Sequence, residues 1–132
     1  MKEKLKTPEE WFKQANYDLE TANAMFKADK YIYTVFMCHL SIEKALKGIY
    51  TQKFNDVPPK IHNLIYLLKK MELLPPDNLK IFLNELNRVS IPTRYPERLK
   101  ILLKEYNKHR ASVIFKNSKE ILKWLKEKLK RQ

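Results

Sequence analysis

His39, Glu43 and Lys47 stand four residues apart in the segment 36–50, FMCHLSIEKALKGIY. Side chains at that spacing share one face of a helix. An imidazole, a carboxylate and an ammonium on one face are the groups that general acid–base chemistry and anion recognition both use. The surroundings narrow the choice. At about 100° per residue, Glu43 falls in the same sector as Ile32, Phe36, Leu46 and Tyr50, while Thr34, Ser41 and Lys44 make up the polar sector. A carboxylate in an apolar stripe is costly unless it is paired. The helix is therefore expected to hold a partly buried polar cluster. Two pairings satisfy Glu43: the local one with Lys47, or an arginine from elsewhere whose fork binds a carboxylate through two hydrogen bonds. Arg94 is the candidate donor. Tyr95 beside it reads as a packing residue, His39 as a core-edge histidine, and His62 as a residue that caps or packs at the start of a helix.

Other chemistries fail on composition. The three histidines, His39, His62 and His109, are far apart, Cys38 is the one cysteine, and no Glu-x-x-His pair occurs, so neither a metal site nor a metal cofactor is expected. A single glycine, Gly48, leaves no Gly-rich phosphate loop. A Cys–His nucleophile on Cys38 has no supporting motif. One cysteine also excludes an internal disulfide and fits a reducing compartment. No apolar run reaches the roughly 18 residues of a membrane span, and residues 1–6 do not read as a signal peptide. The expected location is the cytoplasm.

The elements that would position these residues are helical throughout. Turns that need positive φ are expected to be scarce with one glycine, and apolar residues recur at helical rather than alternating spacing. Thr7-Pro8-Glu9-Glu10 is a capping box, opening a helix whose stripe runs Trp11, Ala15, Leu19, Ala22, Phe26 and which ends near residues 27–30. The second helix covers about 31–53 and must lie antiparallel to the first, because the link is so short. Two prolines in NDVPPK forbid helix at 55–60. A short helix of about 61–71 carries Leu64, Leu67 and Leu68 inward, and one of about 77–89 carries Leu79, Phe82, Leu83 and Leu86. Residues 90–96, SIPTRYP, read as a stiff loop held by Pro92 and Pro96. A weak helical period follows through Leu99, Leu102, Leu103 and Tyr106. The last helix, about 108–130, turns Ala111, Ile114, Ile121, Leu122, Leu125 and Leu129 to one side, with Trp124 at the edge of that stripe. The fold class is all-α: an up-and-down helical bundle of four main helices plus one or two short ones, in a single domain of 132 residues.

Charge adds one more lead. The formal net charge is +12, and residues 98–132 hold twelve basic against three acidic side chains. Such a half attracts nucleic acid or another acidic partner, although lysines at helical spacing are also what a solvated amphipathic face carries.

Four pieces of the chain together resemble the HEPN family, the "higher eukaryotes and prokaryotes nucleotide-binding" domain. They are Trp11-x₃-Ala15-x₂-Asp18-Leu19-x₂-Ala22, then Tyr33-x₂-Phe36-x₂-His39-Leu40-x₂-Glu43-Lys44-Ala45-Leu46-Lys47, then His62-x-Leu64-x₂-Leu67, and Thr93-Arg94-Tyr95-Pro96. The resemblance spans about residues 8–128. It implies an up-and-down bundle that forms homodimers and pairs with a small nucleotidyltransferase in what look like toxin–antitoxin systems. Other members of the family are metal-independent ribonucleases with an Arg-x₄₋₆-His motif. This chain departs there: Arg88, Arg94, Arg98 and Arg110 have no histidine at that distance. The expectation is a non-catalytic module binding a nucleotide or phosphate ligand, with His39, Glu43, Lys47, Arg94 and Tyr95 lining or bracing the site. Two alternatives stand beside it. One is a ribonuclease with a degenerate site near Arg94 and His109, and the other is a nucleic-acid binder through the basic last helix. Edge aromatics such as Trp124 and Tyr106 are candidates for self-association.

Overall fold

The computed structural model describes residues 5–131, without the side chains of Ser90, Ile91, Arg94, Lys130 and Arg131. Six helices follow in order: α1 (Pro8–Lys27), α2 (Tyr31–Phe54), α3 (Leu64–Lys70), α4 (Asp77–Arg94), α5 (Leu99–Glu105) and α6 (Lys108–Arg131). No strand occurs among the described residues, so the all-α bundle of four main helices and two short ones is what forms.

Helix α1 starts as its sequence dictates. The Thr7 side chain accepts the Glu10 N–H at 3.1 Å, and Pro8 opens the first turn. Three residues reverse the chain into α2, with Asp29 in the left-handed region at φ 61°. Helices α1 and α2 then pack side by side along their length. Gly48 makes that approach close: a Cβ there would meet the Phe12 ring and the Trp11 Cβ at 3.0 Å. The core face of α1 is Phe12, Ala15 and Ala22, together with Asp18, while Trp11, Leu19 and Phe26 are half-buried flanks.

Helix α2 is the centre of the molecule. It is covered by α1, α6, α4 and α3, and a helix enclosed in this way keeps little solvated surface. Two of the three residues of the polar sector expected from the helical wheel are therefore inside, and Lys44 is half-buried. Thr34 and Ser41 are fully buried, and each hydroxyl donates to a carbonyl: Ser41 Oγ to Ala15 at 2.7 Å, across to α1, and Thr34 Oγ1 to Lys30 at 3.2 Å. The hydroxyls satisfy themselves on backbone oxygen and so need no water.

Three further expectations are corrected. Residues 90–94 are not loop, because α4 continues through Pro92 to Arg94. Proline removes one backbone bond and crowds the preceding turn, but here it lies in the helix's last turn. The next residue, Thr93, donates its hydroxyl to the Val89 carbonyl at 2.9 Å. Positive φ is not avoided either: Asp29, Asn55 and Glu72 all take it, at the ends of α1, α2 and α3. Many helices end on a left-handed residue, and with glycine used elsewhere these three supply it. Helix α3 starts at Leu64, three residues later than expected, because Asn63 caps it by accepting the Tyr66 N–H at 3.0 Å.

Candidate functional site

Glu43 lies where α2, the 55–63 segment and α3 meet, and only 4% of its side chain is exposed. Its two oxygens have different partners. Oε2 accepts from Lys47 Nζ at 3.1 Å, one turn further along α2. Oε1 lies within hydrogen-bond distance of His62 Nδ1, 2.9 Å away. His39 Nδ1 is 3.8 Å from the same oxygen, beyond hydrogen-bond reach. His39 is wholly buried, so it is a core histidine and not one at the core edge. His62 caps nothing: it lies ahead of Asn63, and its ring, more than half exposed, reaches back to Glu43.

Of the expected site residues, the structure brings together His39, Glu43, Lys47 and His62. The pairing expected between Glu43 and Arg94 rests on a side chain outside the described residues. Tyr95 is not a packing residue; it stands 73% exposed just after α4, where it lines a shallow hollow with Pro92, Pro96, Arg98 and Ile101. His109 is exposed at the start of α6. Its neighbour Arg110 is engaged with α4, 3.4 Å from Glu85, and covers the Tyr106 ring. Tyr106 itself is buried, so it is no edge aromatic, and Trp124 is half-buried.

Cys38 is sealed in the core, and burial pushes its thiol up to about 12, against a smaller opposing effect of the Ser118 hydroxyl. A thiol of that kind is no nucleophile near neutral pH. Among the described residues, no three His, Cys, Asp or Glu side chains are grouped so as to hold a metal ion. No described helix is long and apolar enough to cross a membrane.

A second buried ion pair escaped the sequence reading. Asp18, on the core side of α1, lies 2.9 Å from Lys44 Nζ on α2. The signal was present, since both residues belong to the quoted motifs, but no spacing rule links positions 18 and 44. The same is true of a small cleft beside Lys47, walled by Lys6, Trp11, Val57, Pro58 and Lys60, whose residues come from three separate stretches.

The profile of the HEPN domain matches residues 8–129. The chain belongs to the HEPN family. Two solved structures share its fold. TT1696 from Thermus thermophilus superposes with a TM-score of 0.79 at 22% identity, over 92% of this chain and 97% of that one. ST0689, an archaeal HEPN homologue, superposes with a TM-score of 0.74 at 26% identity, over 94% and 98% of the two chains. No curated protein matches. Set on this HEPN fold, the motif residues are largely architectural: Ala15 receives Ser41, Asp18 holds Lys44, Glu43 holds Lys47 and His62, and Leu64 and Leu67 are core.

Proposed function

We propose that this HEPN chain is a non-catalytic module: a homodimer that binds a nucleotide or similar phosphate ligand and pairs with a small nucleotidyltransferase. One contrast carries the reading. The buried ionisable and nucleophilic side chains of α1 and α2 are committed to partners or sealed in, as with Glu43 between Lys47 and His62, Asp18 on Lys44, and Cys38 in the core. The large apolar side chains Tyr95, Leu99, Ile101 and Leu103, by contrast, stand about half or more in solvent within nine residues. Apolar surface gathered on one short stretch is what an association face needs.

Sedimentation equilibrium tests this. A dimer is expected for the wild type, and a monomer of unchanged helicity for the Leu99→Glu, Ile101→Glu, Leu103→Glu triple variant. A wild-type monomer at tens of micromolar ends the dimer reading. Co-expression with a nucleotidyltransferase chain should yield a complex that survives purification. Metal-free incubation with RNA should leave it intact, and cleavage that vanishes in His109→Ala would mark a ribonuclease instead.

A further inference from the structure

The cleft beside Lys47 has a composition that selects its occupant. Three ammonium groups border it: Lys6 before α1, Lys47 on α2, and Lys60 in the proline-rich segment. Lys47 is 8% exposed and held from behind by Glu43. Lys6 sits over the Trp11 ring at 4.0 Å from its centre, a cation–π contact that limits where its ammonium can go. Pro58 is buried, and Val57 completes the apolar wall. The cleft is bordered by three positive charges, and among the described residues one of them, Lys47, is compensated by Glu43 behind it, leaving two for a ligand.

Size narrows the choice further. The cleft is about 180 Å³, below the roughly 300–1,000 Å³ of sites that enclose a whole drug-sized ligand. It is too small for a nucleoside and ample for a five-atom oxyanion. We propose that this cleft takes the terminal phosphate monoester of a small molecule, with the rest of the ligand outside. A phosphate monoester carries about −1.5 to −2 charges at pH 7, which matches the two lysines that no carboxylate among the described residues compensates. A diester, with a single charge, does not. Lys60 and Lys6 are the direct contacts, Lys6 from above Trp11, and Lys47, held by Glu43, forms the floor. The inference rests on the phosphate-ligand reading above and gives it a place.

Titration calorimetry at low ionic strength with AMP, adenosine, cyclic AMP and inorganic phosphate tests it, using wild type, Lys60→Gln and Lys6→Gln. Both substituted residues are exposed and neither holds Glu43, so thermal unfolding should show both variants folded. AMP and inorganic phosphate should compete with each other, adenosine should not bind, and cyclic AMP should bind at least tenfold more weakly than AMP. Each variant should weaken AMP about tenfold. If AMP binds and both variants equal wild type, the cleft is the wrong place while the nucleotide reading stands. If adenosine binds as well as AMP, the phosphate is not what is recognised. If neither AMP nor phosphate binds at millimolar concentration, the cleft and the phosphate-ligand reading fall together.

Discussion

At the scale of the residue, Glu43 shows how far spacing alone can be read. Its burial and its pair with Lys47 follow from positions 43 and 47 on one helix, and both are visible in the sequence. His62 is not, because it arrives across a proline segment 19 residues away, and helical periodicity says nothing across such a break. The cluster predicts a measurable cost. Glu43→Ala leaves Lys47 buried without a counter-charge and should lower unfolding stability by about 3 kcal/mol, in the range for breaking a buried pair. His62→Ala, on a ring 58% exposed, should cost less than about 1 kcal/mol. Urea unfolding of both variants separates them, and equal small losses would mean that the carboxylate is effectively solvated. Cys38 gives a pH prediction. Its folded pKa, about 12, lies above the ordinary thiol value of 9.0, so the unfolded chain loses this proton first. The stability that the neutral thiol contributes is complete below pH 9 and falls as pH rises toward 12, by about 1.4 kcal/mol per unit. Comparing wild type with Cys38→Ala between pH 8 and 11 isolates the effect from the lysines, which titrate in both proteins. The difference should drift in the variant's favour as pH rises, and a difference that stays constant would show that the thiol is not desolvated.

At the scale of the element, the helices were legible because apolar periodicity and caps act locally. Thr7 and Pro8 mark the start of α1 by chemistry that needs no tertiary context. What misled was a general rule applied without position. Pro92 would break a helix at its middle, yet in the last turn of α4 it removes a single backbone bond. The shortage of glycine likewise suggests few left-handed residues, whereas helix ends often use them, and Asp29, Asn55 and Glu72 supply them for α1, α2 and α3. Asp and Asn tolerate that region through their short polar side chains, but Glu has no such excuse. Glu72 is exposed, with φ at 55°, so replacing it removes strain without removing packing. Glu72→Gly should raise stability by about 0.5–1 kcal/mol, the relief being partly offset by glycine's extra freedom when unfolded. Glu72→Ala, which keeps the Cβ, should not. Denaturant midpoints of the two variants decide the point, and an equal shift in both would assign the effect to the lost charge.

At the scale of the whole molecule, the excess of positive charge gathers on α6. Its core stripe, Ile114, Ile121, Leu122 and Leu125, is buried, and Lys116, Lys119 and Lys123 follow a separate exposed stripe with Glu120 and Glu127 interspersed. The sequence showed the excess but left open whether it serves a partner or only solvation, and salt dependence distinguishes these. Three lysines displacing counterions from a single-stranded polyanion give a log–log salt slope of about −2. Between 50 and 200 mM salt that is a loss of roughly 20-fold, modest beside the 10³–10⁵ of proteins making six to ten phosphate contacts. One copy's stripe should therefore hold single-stranded RNA only at low salt, with a slope near −2, and the Lys116→Glu, Lys119→Glu, Lys123→Glu variant should not bind. A slope near −4 would require two stripes on one strand, which a dimer supplies and a monomer does not. The surface triple variant of Leu99, Ile101 and Leu103 should then return the slope to −2. Binding that ignores salt altogether would remove the α6 lysines from any account of what this protein touches.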